Sequence, residues 1–209
     1  MAKTADRQRK RGRPKGTTRP GIKYLTQAEL KGFFESVRKM KGDRRLRDDL
    51  AYGLAAFLGL RVAELASLKV GDIDTSAGQV RVKALKNGLT MTQEISPDLL
   101  RKTKAWLAKR DKGTSWLFPG RVDGRPISVD RWKAGFKGYA RSAGLSPSLS
   151  VHSLRHSVAV MMAENGASPI KIARWLRQRR TSSAEKYFAA AEFKETGRQM
   201  AGMFRGILS

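Results

Sequence analysis

Two stretches decide how this chain reads: His152-Ser153-Leu154-Arg155-His156 and Gly59-Leu60-Arg61-Val62-Ala63-Glu64-Leu65. Around the first, Ser150 precedes an apolar-periodic run that Gly166 ends, which predicts a helix over residues 151–165. On that helix, positions 152, 155 and 156 share one face. Val151, Leu154, Val158 and Met161 lie nearer the other and are expected to be buried. The helix thus presents a guanidinium beside two imidazoles. Guanidinium binds phosphate through paired hydrogen bonds, and imidazole donates or moves a proton. In the second stretch, Gly59 stops a helix predicted over residues 44–58, and Arg61 stands just beyond that stop. Taken singly, each stretch also suits an ordinary surface, with histidines satisfying hydrogen bonds or Arg61 paired to Glu64.

On either side the pattern is mostly helical. Thr26-Gln27-Ala28-Glu29 is a capping box, followed by Leu30, Phe33, Phe34 and Val37 at helical spacing. Leu46, Leu50, Leu54 and Phe57 share one face of the next helix, and a short helix is expected over 62–68. Further helices are predicted over 97–112, with Pro97 in its first turn, over 129–143, and from Ser168-Pro169 to about residue 178. Ser182-Ser183-Ala184-Glu185 is another capping box and puts Tyr187 on a helix. Residues 79–85 alternate, Asn87-Gly88 signals a hairpin turn, and 89–95 return as a strand. Trp116-Leu117-Phe118-Pro119 reads as a short apolar link or buried strand. The fold class is therefore mostly α with a small antiparallel β-sheet. Trp106, Trp116, Trp132 and Trp175 suit either the core or a DNA-facing surface.

Composition narrows the chemistry. The 209 residues include 43 Lys and Arg against 18 Asp and Glu, a net charge of +25, while 40% hydrophobic residues allow a core. Such an imbalance points to a polyanion, foremost double-stranded DNA, with an anionic membrane surface as the competitor. Apolar runs fall far short of the ~18 residues of a membrane span, and the basic N-terminus lacks the apolar run of a secretory signal. There is no cysteine, and His152 and His156 are the only histidines. Disulfides, thiol nucleophiles and Cys-zinc sites are excluded. No metal site and no cofactor is expected, and a reducing cytoplasm is the expected location, nucleoid-associated in a prokaryote. Residues 1–23 carry nine Lys and Arg against Asp6 alone and are broken by Pro14 and Pro20, so they read as a disordered basic arm. Within the arm, Arg11-Gly12-Arg13-Pro14 resembles the core of an AT-hook, which would lay Arg11 and Arg13 in a narrow minor groove; plain phosphate attraction is the alternative.

In order along the chain, these pieces resemble the tyrosine recombinase (phage integrase) family. Its first box, Gly-Leu-Arg-x-x-Glu-Leu, is matched by residues 59–65, and its second, His-x-Leu-Arg-His, by residues 152–156. Lys86-Asn87-Gly88 fits its hairpin lysine, with Lys83 as a competitor, and Tyr187, 32 residues beyond Arg155, fits its nucleophile. The resemblance covers residues 24–209 and implies one catalytic domain of that family's fold. It implies site-specific breaking and rejoining of DNA through a 3′-phosphotyrosyl bond. By the same resemblance Arg61 and Arg155 clamp the phosphate, Lys86 protonates the leaving oxygen, and His152 hydrogen-bonds the phosphate. His156 is the acid/base partner or a support, and Glu64 orients Arg61. The family often has Leu-Gly-His nine residues before the tyrosine; here Leu176-Arg177-Gln178 stands, so Gln178 takes the ring's place. Arg177, Arg179 and Arg180 are expected to add charge for DNA. The family's N-terminal clamp domain is missing from the resemblance, with the arm as a partial substitute. Phe193, Met200, Met203, Phe204, Ile207 and Leu208 form a stripe on a helix over 193–208, expected to dock on this chain's core or on a neighbouring protomer in a homo-oligomer. Two other readings stay open: a DNA-binding regulator or architectural protein on a decayed recombinase scaffold, and a tyrosine-type topoisomerase.

Overall fold

The computed structural model describes residues 22–85, 88–121, 124–182, 184–188 and 191. Seven helices occur among them: α1 (Gln27–Arg38), α2 (Gly42–Phe57), α3 (Val62–Ala66), α4 (Pro97–Lys109), α5 (Val129–Ser142), α6 (Val151–Glu164) and α7 (Pro169–Trp175). Residues 184–188 are helical as well. A 3₁₀ turn (Val70–Asp72) leads into an antiparallel sheet of β1 (Ile73–Asp74), β2 (Gln79–Val82) and β3 (Met91–Glu94), in that spatial order. The class expected from the sequence, mostly α with a small antiparallel sheet, is the one observed.

Helix starts follow side-chain chemistry. Thr26 and Glu29 close the capping box of α1, and Ser96, Ser128 and Ser168 each accept a backbone N–H at the start of α4, α5 and α7. The helix α2 runs through the middle of the core, with Leu50, Ala51, Tyr52, Leu54 and Ala55 fully buried. Gly53 lets α4 close on it: a Cβ there would stand 2.8 Å from Leu99 Cδ2. Phe33, Tyr52, Trp132, Phe136 and Tyr139 pack largely edge to face between α1, α2 and α5. Both tyrosine hydroxyls are satisfied: Tyr52 donates to the Trp132 carbonyl (2.8 Å) and Tyr139 to buried Asp48 (2.5 Å). Burial and the Asp48 carboxylate together push the Tyr139 hydroxyl up to about 12. A second cluster joins Ile22, Tyr24, Ala159, Val160, Ile172, Ala173, Leu176, Ala184 and Tyr187, and the Leu25 N–H ties its edge to Ser157 Oγ (2.8 Å).

Several boundaries differ from the sequence reading. The ladder stops at the Val82–Met91 pair, so residues 83–85 and 88–90, expected to extend the two strands to a tight turn, lie outside it. Their polar groups find other partners: Lys83 pairs with buried Asp72 (2.8 Å), and the Ala84 N–H donates to Thr90 Oγ1 (2.9 Å). Helix α4 ends at Lys109 because Arg110 turns extended and its buried guanidinium donates to the Thr114 carbonyl. Ile22, assigned to the arm, is buried in the second cluster, so the ordered fold begins a little earlier. Trp106 and Trp132 are core residues, whereas Trp116 and Trp175 are half-buried, each donating its indole N–H to a carbonyl (3.0 Å each). The arm with Arg11 and Arg13, the turn residues Lys86 and Asn87, and the stripe from Phe193 to Leu208 lie outside the described residues. Among the described residues no helix is long and apolar enough to cross a membrane.

Phe33 is fully buried at the centre of the aromatic cluster. Truncation to alanine leaves a cavity that rigid neighbours cannot fill. The expected cost of Phe33→Ala is about 3–5 kcal/mol, read as a lower urea midpoint at unchanged slope.

Candidate active site

The site begins where α2 stops. Gly59 has φ 59°, a left-handed turn that a side chain adopts only under strain, and a Cβ there would meet Leu176 Cδ2 at 2.6 Å. This turn exposes the Gly59 carbonyl to two guanidiniums. Arg155 Nη1 donates to it at 2.6 Å and Arg177 Nη2 at 3.0 Å. The chain then extends through Arg61 into α3, where Glu64 reaches back. Its Oε2 accepts the Arg61 backbone N–H (2.8 Å) and its Oε1 accepts Arg61 Nη1 (2.8 Å). Arg177 Nη2 donates to Glu64 Oε2 from the other side at 3.0 Å. Burial pushes the Glu64 carboxyl up, but Arg177, the Arg61 N–H and Arg155 outweigh it, so the group stays below its ordinary value and is charged.

Arg155 and Arg61 differ in setting. Arg155 is buried, held by Gly59 and by the Leu176 carbonyl (2.5 Å). Burial, then the positive charge of Arg61, bring it down to about 10. Arg61 keeps 37% of its side chain exposed. The expectation that 155 shares an open face with 152 and 156 is thus corrected. Helix α6 is covered on the Arg155 side too, whereas His152 is exposed and Val158 and Met161 are only half-buried.

Tyr187 comes from the far end of the chain and lies in the second cluster, 1% exposed. Its hydroxyl lies 3.1 Å from His156 Nδ1, and the Gln178 side chain stands near enough to the phenol to favour its ionised form. Burial raises the Tyr187 pKa, while Arg155, Gln178 and Arg61 pull the other way, so the phenol is neutral. Gln178 Oε1 has no partner among the described residues. The His156 ring stands edge to face with His152, centroids 4.5 Å apart. Burial, then His152, Lys186 and Arg155, bring His156 down to about 3. His152 is lowered as well, first by desolvation and then by the positive charges of Arg155, Lys186 and Arg61.

Arg61, Glu64, His152, Arg155, His156, Gln178 and Tyr187 therefore gather in one place, within electrostatic reach of one another. Lys86 lies outside the described residues, but Gly88, two residues on, sits against the site. A Cβ there would be 3.6 Å from Arg61 Nη1, and the next N–H, that of Leu89, donates to the Arg177 carbonyl at 3.2 Å. Lys83 is engaged by Asp72.

Arg177 departs from expectation. The helix ends at Trp175, two residues later the backbone adopts φ 56°, and the Arg177 side chain turns inward, 1% exposed. Besides Glu64 and Gly59 it donates to the Leu58 carbonyl (2.9 Å), the Trp175 carbonyl (3.1 Å) and Gln93 Oε1. Its place among the DNA-facing charges is therefore withdrawn, while Arg179 and Arg180 are exposed. Gln93, buried on β3, was missed by sequence reasoning; its amide also donates to the Trp175 carbonyl (3.0 Å). A lone glutamine in a strand carries no signal of that role.

Known proteins resemble this chain in sequence and in fold. The Phage integrase family profile matches residues 23–193. The chain is 35% identical over 150 residues to the tyrosine recombinase XerA of Pyrococcus furiosus, covering 69% of this chain and 49% of that protein. It is 26% identical over 188 residues to the type 1 fimbriae regulatory protein FimB of Escherichia coli K12, covering 88% of each. The fold resembles a crystal structure of XerA recombinase (TM-score 0.70, 20% identity, 88% of this chain and 66% of that one). It also resembles the Tn1549 transposon integrase in complex with a circular intermediate DNA (TM-score 0.72, 16% identity, 88% and 68%). The chain spans about half the length of the curated recombinase from Pyrococcus furiosus.

A histidine held near 3 in the fold and near 6.5 when unfolded takes up its proton only on unfolding. Stability from this group is complete above about pH 6.5 and falls as pH drops toward the folded value. Between pH 6.5 and 5 the stability of His156→Gln should fall less steeply than wild type, by up to about 1.4 kcal/mol per pH unit, measured by urea melts at each pH.

Proposed function

The chain belongs to the phage integrase family, and from that premise we propose that it is a site-specific recombinase breaking and rejoining double-stranded DNA. The Tyr187 oxygen attacks a scissile phosphodiester, the 5′-oxygen leaves, and a 3′-phosphotyrosyl bond forms. A 5′-hydroxyl from another strand reverses the step, so the phosphoester energy is retained in the covalent intermediate. One observation carries this reading: the Tyr187 hydroxyl lies 3.1 Å from His156 Nδ1 in the same site as Arg61 and Arg155.

Each residue has a role that its surroundings support. Arg155 is preorganised by two carbonyls, and Arg61 retains exposed surface to meet a phosphate. Fixed positive charge at the non-bridging oxygens lowers the cost of the developing transition state. His152, exposed beside them, donates to the phosphate. An arriving phosphate offsets the positive charge that lowers both histidines, which makes His156 a better acceptor for the Tyr187 proton. Gln178 holds the phenol oxygen, and Lys86, from the connection that passes Arg61, protonates the leaving 5′-oxygen. Arg179 and Arg180 with residues 1–21, including Arg11 and Arg13, add non-specific attraction to DNA. The stripe from Phe193 to Leu208 docks on a neighbouring protomer, making the active species a homo-oligomer on DNA.

A second reading, a DNA-binding regulator without cleavage, draws on the burial of Tyr187 and on the likeness to a protein named as regulatory. One experiment separates them. The protein is incubated with nicked duplexes of randomised sequence, and detergent-resistant adducts are captured and sequenced. Wild type should yield an adduct on the peptide containing Tyr187, and Tyr187→Phe should bind DNA yet yield none. An adduct that persists in Tyr187→Phe refutes the assignment, and binding without any wild-type adduct favours the regulator. Deleting residues 1–21 should flatten the dependence of log affinity on log salt by roughly 0.9 for each phosphate that the arm neutralises.

A further inference from the structure

Nothing in the proposed chemistry uses Arg177, although it is among the most buried charges in the chain. Its backbone is left-handed at φ 56°, a conformation that ordinarily selects glycine. The strain is matched by what the side chain reaches: Glu64 Oε2 and the Gly59 carbonyl at 3.0 Å each, the Leu58 carbonyl at 2.9 Å, and Gln93 Oε1. Two of these acceptors are shared. Glu64 also holds Arg61, and the Gly59 carbonyl also holds Arg155.

The charges in this group can be assigned one by one. Glu64 is 1% exposed and negative, so it requires a positive partner within reach. If Arg61 were the only one beside it, its charge would be largely neutralised by the carboxylate and withdrawn from any anion outside. Arg177 is a second cation on the same carboxylate, aimed from the interior. With Glu64 matched by Arg177, the Arg61 guanidinium keeps a single contact to one carboxylate oxygen and 37% of the side chain is free.

We propose that Arg177 is a positioning residue for this site, the counter-ion of Glu64 that leaves the charge of Arg61 available to the scissile phosphate. The inference rests on the proposed cleavage reaction. Arg177 touches no DNA; it acts through Glu64. Without it, Arg61 folds down onto Glu64, and the phosphate meets less positive charge.

The test uses the full chain and the duplex recovered by adduct capture, carrying at the scissile position either the ordinary phosphodiester or a methylphosphonate. The second replaces one non-bridging oxygen by methyl and removes the negative charge, so it depends less on arginine. Arg177→Gly suits the left-handed backbone and deletes the side chain. It should slow adduct formation on the phosphodiester by about 100-fold and on the methylphosphonate by far less, lowering the ratio of the two rates at least tenfold. A loss of folded protein lowers both rates equally and leaves the ratio unmoved, so an unmoved ratio overturns the proposal. Should Arg177→Gly fail to fold, the same ratio is compared between Glu64→Gln and Glu64→Gln/Arg177→Gly, in which no buried carboxylate remains unmatched. Because Arg177 acts through Glu64, the two ratios should agree within about threefold, roughly the spread left by additive, uncoupled effects; a larger fall on removing Arg177 overturns the proposal. Wild type that cleaves while the ratios disagree with these values sinks this inference alone. Wild type that forms no adduct on the phosphodiester sinks the cleavage reading and this inference with it.

Discussion

One buried carboxylate organises this site. Glu64 accepts from the backbone and guanidinium of Arg61 on one side and from Arg177 on the other. A lone buried carboxylate is costly, and its removal from water is compensated only by good geometry and full hydrogen bonding. Here that requirement brings together residues from α3, from the turn after α7 and, through the Gly59 carbonyl, from α6. Segments more than a hundred residues apart in the chain are thereby fixed against each other without a metal ligand set among the described residues.

The scaffold serves the same end. Helix α2 is buried from Leu50 to Ala55, which anchors its C-terminal half, and the Leu58 and Gly59 carbonyls left open beyond it accept from Arg155 and Arg177. The sheet contributes through Gln93, whose amide bridges Arg177 and the end of α7. Tyr187 is held differently, by apolar packing with Ile172, Leu176 and Ala184 and by His156 and Gln178 at its hydroxyl. The charged half of the site is thus anchored by hydrogen bonds to main-chain carbonyls, and the phenol by a separate hydrophobic cluster.

Much of this was legible in the residues. The capping box at Thr26, Pro97 in a first turn and Ser168-Pro169 located helix starts, because those signals are local. The two boxes and Tyr187 named the members of the site, since their residue types are specific and their order is fixed. Partners set by tertiary contact were not legible. The strands are shorter than their alternation suggests because Lys83 is drawn to Asp72. Arg155 looked exposed on a helical projection, yet a neighbouring turn covers it. Arg177 looked like one more basic residue in a basic run. Its left-handed backbone and the buried acceptors it reaches explain why it lies inward while Arg179 and Arg180 are exposed.

The doubly used carbonyl of Gly59 has a consequence for how this site tolerates change over generations. Groups that share an acceptor do not contribute independently: removing one donor changes the charge and the hydrogen bond that the other meets, so paired replacements depart from the sum of their separate penalties. Residues 59, 64, 155 and 177 therefore form an epistatic block. Drift at any one of them alone is disfavoured, and a lineage that exchanges one is pushed to exchange its companions.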